Sequence, residues 1–252
     1  MPNVEVFSYF WNEEYLMPYF LRHYAPLATR ITLFDNDSTD RSIEIAKTCP
    51  KVVVKRYDSG NTLDSLSQLH MLNNCWREAE SDWVIVCALD EFLYHPDLLG
   101  FLEATEGTVI HPQGYTMSSK TRPIGNGQLY DYIRRGVPDK YYCKCIAFNK
   151  AKVTGINYRI GAHEAIPNGL INMVTDQCKL LHFRLIGLAE TIERYRIYRE
   201  RKSATERKRG YGGHYFISER DLRARFDALI KMSIDVFAHK PVQHVGRRLD
   251  WD

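Results

Sequence analysis

The apolar run VIVCAL at residues 84–89 ends in two carboxylates, Asp90 and Glu91. The same arrangement occurs twice more. Asn12 and Glu13 follow the apolar stretch 4–10, and Asp35, Asn36 and Asp37 follow the stretch 30–35. Groups of this kind accept hydrogen bonds from ribose hydroxyls and base N–H groups, and they hold hard divalent cations. A cation that bridges two phosphates stabilises a diphosphate leaving group. Together these are the requirements of a sugar-nucleotide site. Each cluster also has a plainer reading: Asp35 to Asp40 as a capped turn, Asp90-Glu91 as a solvated strand end.

The elements that must position these groups follow from the apolar spacing. Residues 4–10, 30–35, 51–57 and 82–89 read as strands. Between them, residues 12–24, 41–49 and 62–80 read as helices. Pro18 is tolerated in a first turn, Ser38 or Asp40 serves as an N-cap, and Leu66, Leu69, Leu72 and Trp76 share one face. Strand and helix thus alternate, which argues for an α/β fold, an open, mostly parallel sheet with helices on both faces. In such sheets ligands bind beyond the carboxyl ends of the strands, where all three polar clusters fall. From Thr108 onward the pattern changes to short strands (TVIHP, GYTMSS, KYYCKCIAFN, CKLLHFRL) and then helices at 188–203 and 219–234. No repeat or linker separates the halves. The expectation is one domain over 1–252, with 1–107 the nucleotide-binding half and 108–252 the acceptor half.

Composition narrows the class. The 252 residues are 44% hydrophobic and 26% charged, ordinary for a soluble globular chain. No apolar run approaches a membrane span, and MPNVEVFSYF has no basic leader, so a cytoplasmic protein is expected. Cys49, Cys75, Cys87, Cys143, Cys145 and Cys178 lack zinc-knuckle spacing and read as reduced thiols. Trp11, Trp76 and Trp83 read as core. The net charge of +3 is too small to suggest a nucleic-acid partner. Residues 194–209 hold eight Lys and Arg against Glu200 and Glu206, which makes that segment +6 and the rest −3. The segment is either a solvated helix face with a basic loop or a patch for anionic lipid or phosphate. Neither a Gly-x-Gly-x-x-Gly turn nor a Gly-Lys-Ser/Thr loop follows the first strand, so neither a dinucleotide oxidoreductase nor a P-loop NTPase is supported. Tyr211-Gly212-Gly213-His214 reads as a cleft flap or a plain loop.

In four places the chain resembles the GT-A glycosyltransferases, specifically the family-2-like group. NEEYLMPYFLRHY looks like that group's opening helix and LFDNDSTDRS like its nucleotide loop. SDWVIVCALDEFLY looks like its Asp-x-Asp-Glu-Phe metal strand, and GAHEA with LLHFR like its C-terminal elements. The resemblance covers roughly residues 3–200. It implies that Asn12, Glu13, Asp35, Asn36, Asp37 and Arg184 contact the nucleotide, with Arg122 a further candidate for the diphosphate. Asp90 and His182 would hold Mn²⁺ or Mg²⁺, assisted by Glu91 and His163. It implies Glu164 as catalytic base, with Asp131 and Asp176 as alternatives, and a glycan or lipid-linked acceptor. The sequence departs from the pattern at Ala88, where the first Asp of Asp-x-Asp is missing, and at Asn36. Taken alone, His182 also reads as a core histidine and His163-Glu164 as a surface loop. The rival classes are a nucleotidyltransferase, which would want a basic Gly-rich loop after the first strand, and a non-catalytic nucleotide- or carbohydrate-binding domain. The C-terminal stretch HKPVQHVGRRLDWD is compatible with a chain cut from a longer enzyme.

Overall fold

The computed structural model describes residues 1–238; the stretch HKPVQHVGRRLDWD lies outside the described residues. The first half follows the alternation: β1 (Val4–Phe10), α1 (Met17–Tyr24), β2 (Arg30–Asp35), α2 (Ser42–Ala46), β3 (Val52–Arg56), α3 (Ser65–Asn74) and β4 (Trp83–Ala88). A tight corner leads to β5 (Glu91–Tyr94), followed by α4 (Leu98–Ala104), β6 (Val109–Ser119), α5 (Leu129–Tyr132) and β7 (Arg135–Pro138). After a 3₁₀ turn at Lys140–Tyr142 come β8 (Ala147–Asn149), β9 (Val153–Gly155), β10 (Asn168–Gly169) and β11 (Met173–Ile186). The chain continues through α6 (Leu188–Arg201), α7 (Ala204–Arg209), α8 (Glu219–Met232) and β12 (Ile234–Asp235).

Among the described residues ten strands form one open sheet, in the order β12-β7-β6-β8-β4-β1-β2-β3, with β11 joining β6 and β5. The block β4-β1-β2-β3 is wholly parallel. Beyond it parallel and antiparallel pairs mix. Strand alternation sends β1 side chains to two layers. Val4, Val6 and Phe10 face the cluster covered by α1, while Phe7 faces the cluster holding Leu72 and Trp76. A third cluster packs α6 and α8 against Val137 and Leu185.

Several local expectations change. The helix expected over 62–80 shortens to Ser65–Asn74, its start set by Asp64, which caps it by accepting from the amides of Leu66 and Ser67. Leu66 then turns outward, 42% exposed. Neither Ser38 nor Asp40 caps α2 at its N-cap position, which Arg41 occupies. Ser38 Oγ accepts from the Asn12 amide, while Asp40 accepts from the Glu14 amide with one oxygen and from the Ser42 amide, at the start of α2, with the other. TVIHP and GYTMSS fuse into the single strand β6. Pro112, with no N–H to give, falls at a gap in its ladder with β11, beside the bulge between Thr175 and Lys179. Gly114 lets the turn at 139–142 pass close by, since a Cβ there would stand 2.5 Å from the Asp139 carbonyl oxygen. KYYCKCIAFN is a strand only over Ala147–Asn149. Its start winds into the 3₁₀ turn, capped by Asp139 accepting from the Tyr141 amide. All six cysteines are free thiols, with Cys87 buried in β4. Among the described residues no helix is long and apolar enough to cross a membrane.

Candidate functional site

Strand register brings the polar clusters together. Tyr9 pairs with Ala88 and Phe10 with Asp35, so the loops after β1, β2 and β4 leave the sheet side by side. They border a cleft of about 750 Å³. Glu13, Asn36, Ala88, Asp90 and Glu91 line it from the N-terminal half, and His163, His182 and Arg184 from the C-terminal half.

The corner between β4 and β5 is fixed by Glu91, which is only 2% exposed. Its carboxylate accepts from the Ala88 amide at 2.9 Å and pairs with buried Lys144 at 2.5 Å. Glu91 is therefore engaged in holding the corner. Asp90, one residue earlier, is left at the cleft floor. The antiparallel ladder of β5 with β11 puts His182 opposite Glu91, and the Asp90 carbonyl accepts from the Phe183 amide at 2.8 Å. His182 Nε2 thereby stands 3.4 Å from Asp90 Oδ2. The Tyr142 ring stacks on His182 at 3.8 Å between centroids. Burial opposes ionisation of Asp90, but His182, Arg194 and Arg184 outweigh it and hold the carboxyl below the usual carboxylate range.

An imidazole nitrogen and a carboxylate oxygen at this separation suit adjacent positions around one divalent ion. Among the described residues no group of three or more His, Cys, Asp and Glu side chains gathers to hold a metal. The protein thus offers two donors, a set that fits Mn²⁺ or Mg²⁺ when phosphate oxygens and water complete the shell. Ala88 adds no donor.

The other expected residues divide. Glu13 is buried and ion-paired with Arg194 at 2.9 Å. Arg194 also approaches Asp90 Oδ2 at 3.7 Å, so one guanidinium sits between the two acids. Burial pushes the Glu13 carboxyl up to about 7 even with Arg194 beside it. Asn36 donates to the Tyr57 carbonyl and Ser59 Oγ and accepts from Arg201. Asn12, Asp35 and Asp37 do not line the cleft. Asn12 clamps the amides of Thr39 and Asp40, Asp35 accepts from the Ser38 amide, and Asp37 pairs outside with Arg56 at 2.9 Å. These three shape the loop after β2 without facing the cleft.

The base candidates taken from sequence lie elsewhere. Glu164 is exposed and outside the cleft lining. Asp131 closes a capping box by accepting from the Gln128 amide at the start of α5. Asp176 accepts from Gln113 within the β11 bulge. Arg122 lies over the Tyr15 ring, away from the lining.

Sequence reasoning missed the inward half of the basic segment. Arg194 is nearly buried, Arg201 stacks on Trp11 at 3.7 Å, and Lys202 pairs with buried Glu206, which also accepts from Ser65. These contacts fold α6 and α7 over the cleft and leave Trp11 on its wall, not in the core. Arg196 is neutralised by Glu193 and Glu200. An anionic-lipid reading would thus rest on the exposed cations near Lys208 and Arg209. A signal was present: Arg194, Tyr198 and Arg201 recur at helical spacing. The Gly-rich stretch also lines the cleft, with Gly210 and Gly212 in the left-handed region that favours glycine.

No protein-family model matches the chain. No curated protein matches it either. Among solved structures it is similar to glucosyl-3-phosphoglycerate synthase from Mycobacterium tuberculosis in complex with Mn²⁺ and UDP-glucose, at 18% identity and a TM-score of 0.33, over 45% of this chain and 44% of that one. The same enzyme with Mg²⁺ and UDP gives the same values. A further mycobacterial protein matches at 15% identity and a TM-score of 0.31, over 46% of this chain and 42% of that one. The chain thus spans less than half the length of the structures it matches.

Glu13 gives the fold a pH dependence. A buried carboxyl whose pKa rises from 4.5 to about 7 binds its proton more tightly in the folded state. The stability this contributes is complete below about pH 4.5 and is lost as pH rises through 7. Urea titrations at pH 5 and pH 8 should show wild type losing about 2–3 kcal/mol relative to Glu13→Gln. Parallel behaviour of the two proteins would contradict the assignment.

Proposed function

We propose that this chain is a GT-A glycosyltransferase, moving a sugar from a nucleoside-diphosphate donor to the hydroxyl of a glycan or lipid-linked acceptor, with UDP the first nucleotide to test. The observation that carries the reading is the convergence of Asp90 and His182, 3.4 Å apart, at the floor of a cleft beyond the carboxyl ends of parallel strands. Mn²⁺ or Mg²⁺ held by this pair would neutralise the diphosphate as it departs. Arg184 lines the same cleft and adds fixed positive charge toward the leaving group. Glu13 and Asn36 line the cleft from the nucleotide half, and Tyr141, Tyr198 and Tyr211, which are not buried, add ring surface for the sugars.

For the base, the cleft favours His163 over its neighbour Glu164. His163 Nδ1 lies 2.8 Å from the Tyr141 carbonyl oxygen, which only accepts, so Nδ1 carries the proton and Nε2 keeps its lone pair. Burial and nearby Lys144 hold its pKa far below the usual imidazole range, so the ring is neutral at pH 7 but a weaker base than a free imidazole. It stacks on Tyr141 and meets the edge of Tyr142, which also stacks on His182. A lone pair in that position takes the acceptor proton as the oxygen attacks the anomeric carbon.

Calorimetric titration with UDP, GDP, dTDP and CMP, each with Mn²⁺ and with EDTA, tests the donor class. One nucleotide should bind tightly only with metal. Asp90→Asn and His182→Ala should each weaken that binding by at least the roughly 10–100-fold that outer-shell changes cost. Binding of none of the four would remove the sugar-nucleotide reading. Once the donor is known, His163→Gln should lower kcat by about 10²–10⁴-fold, with Glu164→Gln near wild type. The reverse ranking would return the base to Glu164.

A further inference from the structure

A second, smaller cavity lies behind the His182 ring. Its volume is about 10 Å³, and Thr116, Asp139, Tyr142, His182, Arg184, Leu185, Tyr195 and His214 surround it. That is about the space of one water molecule, and a buried water needs two to four polar partners. Those partners are present. His182 is 3% exposed, its Nε2 faces Asp90, and its Nδ1 is buried without a hydrogen-bond partner. Arg184, two residues along the same strand, has Nη2 buried without a partner. Asp139, 2% exposed, supplies a carboxylate. It accepts from Thr116 Oγ1 at 2.8 Å and from the Tyr141 amide at 3.0 Å, and a carboxylate has about four acceptor sites.

We infer that Asp139 is a positioning residue for His182, acting through one buried water that accepts from His182 Nδ1–H and Arg184 Nη2–H and donates to the Asp139 carboxylate. Whenever His182 is neutral, the bridge fixes the imidazole tautomer: the proton is held on Nδ1, and the Nε2 lone pair points at the cleft floor beside Asp90. An imidazole fixed in this way by a carboxylate behind it is a better and better-aimed metal donor. The fold holds Asp139 firmly. Its amide donates to the Gly114 carbonyl at 2.9 Å, and the absence of a side chain on Gly114 lets the turn approach β6 this closely. Tyr142, from the same turn, covers the face of the His182 ring. One turn thus sets both the plane and the proton of the histidine. This inference rests on the metal role proposed above for His182.

Two measurements test it. A crystal structure of the wild-type chain at about 1.5 Å should show one ordered water in hydrogen-bond contact with His182 Nδ1 and Asp139; a dry cavity overturns the bridge. Asp139→Asn keeps one oxygen for the Tyr141 amide and puts its NH₂ in place of the oxygen that faces Thr116, removing the carboxylate as the water's acceptor. In calorimetry this variant should lose roughly 10–100-fold in Mn²⁺ affinity in the presence of UDP, while its UDP affinity in EDTA stays at the wild-type value. Equal losses in both conditions, or none with Mn²⁺, would make Asp139 merely structural. If the variant does not fold, the wild-type water decides. A wild type that shows the water but binds no Mn²⁺ would overturn the metal role of His182, and the positioning role with it.

Discussion

The cleft depends on a buried ion pair at one corner of the sheet. Glu91 and Lys144 meet at 2.5 Å with almost no exposure, and the other Glu91 oxygen takes the Ala88 amide. Such a pair adds little net stability over an apolar replacement, but breaking it by removing one partner costs roughly 3–5 kcal/mol. Its value here is geometric. It turns the chain between β4 and β5 so that Asp90 ends at the cleft floor and β5 starts in register with β11. That register puts His182 beside Asp90. Two donors separated by 92 positions in the chain therefore meet because a third carboxylate, engaged elsewhere, holds the corner.

Around this point the charges are arranged in depth. Asp90 faces His182 and the guanidinium of Arg194, and Arg194 in turn is held by Glu13. The C-terminal helices therefore do more than cover the sheet. α6 delivers Arg194 to the acids at the strand ends and Arg201 to Trp11 and Asn36. Lys202 and Glu206 then tie the same segment to Ser65 at the start of α3. Ala88 brings no charge to the cleft floor, and these fixed guanidiniums help to set the local potential.

Much of this was legible in the amino-acid sequence. The strands β1 to β4 and the carboxylates at their ends follow from apolar runs that stop abruptly, and strand alternation places them at one edge of a sheet. Asp90 and His182 were visible as residue types in suggestive places, but their meeting depends on a ladder between β5 and β11 that no local pattern encodes. The interior cations were hidden for a similar reason. Arg194 and Lys202 sit in a run that looks solvated, and only partners far along the chain, Glu13 and Glu206 with Ser65, make them buried. Asp131 and Glu164 looked catalytic because short-range composition cannot tell a capping carboxylate or an exposed loop from a cleft wall. The continuous strand β6 was obscured by Pro112 and Gly114, which read as breakers. In the fold one falls at a ladder gap and the other makes room for the turn that carries Asp139 and Tyr142.

On the proposed function, Asp90 and His182 together hold a divalent cation against a nucleoside diphosphate. Crystals grown with Mn²⁺ and the nucleotide that binds best, with diffraction recorded at the manganese absorption edge, test it directly. The claim requires one anomalous peak in coordination contact with both Asp90 and His182 Nε2 and with phosphate oxygens. A well-bound nucleotide with no such peak, or with the metal held elsewhere, would contradict it.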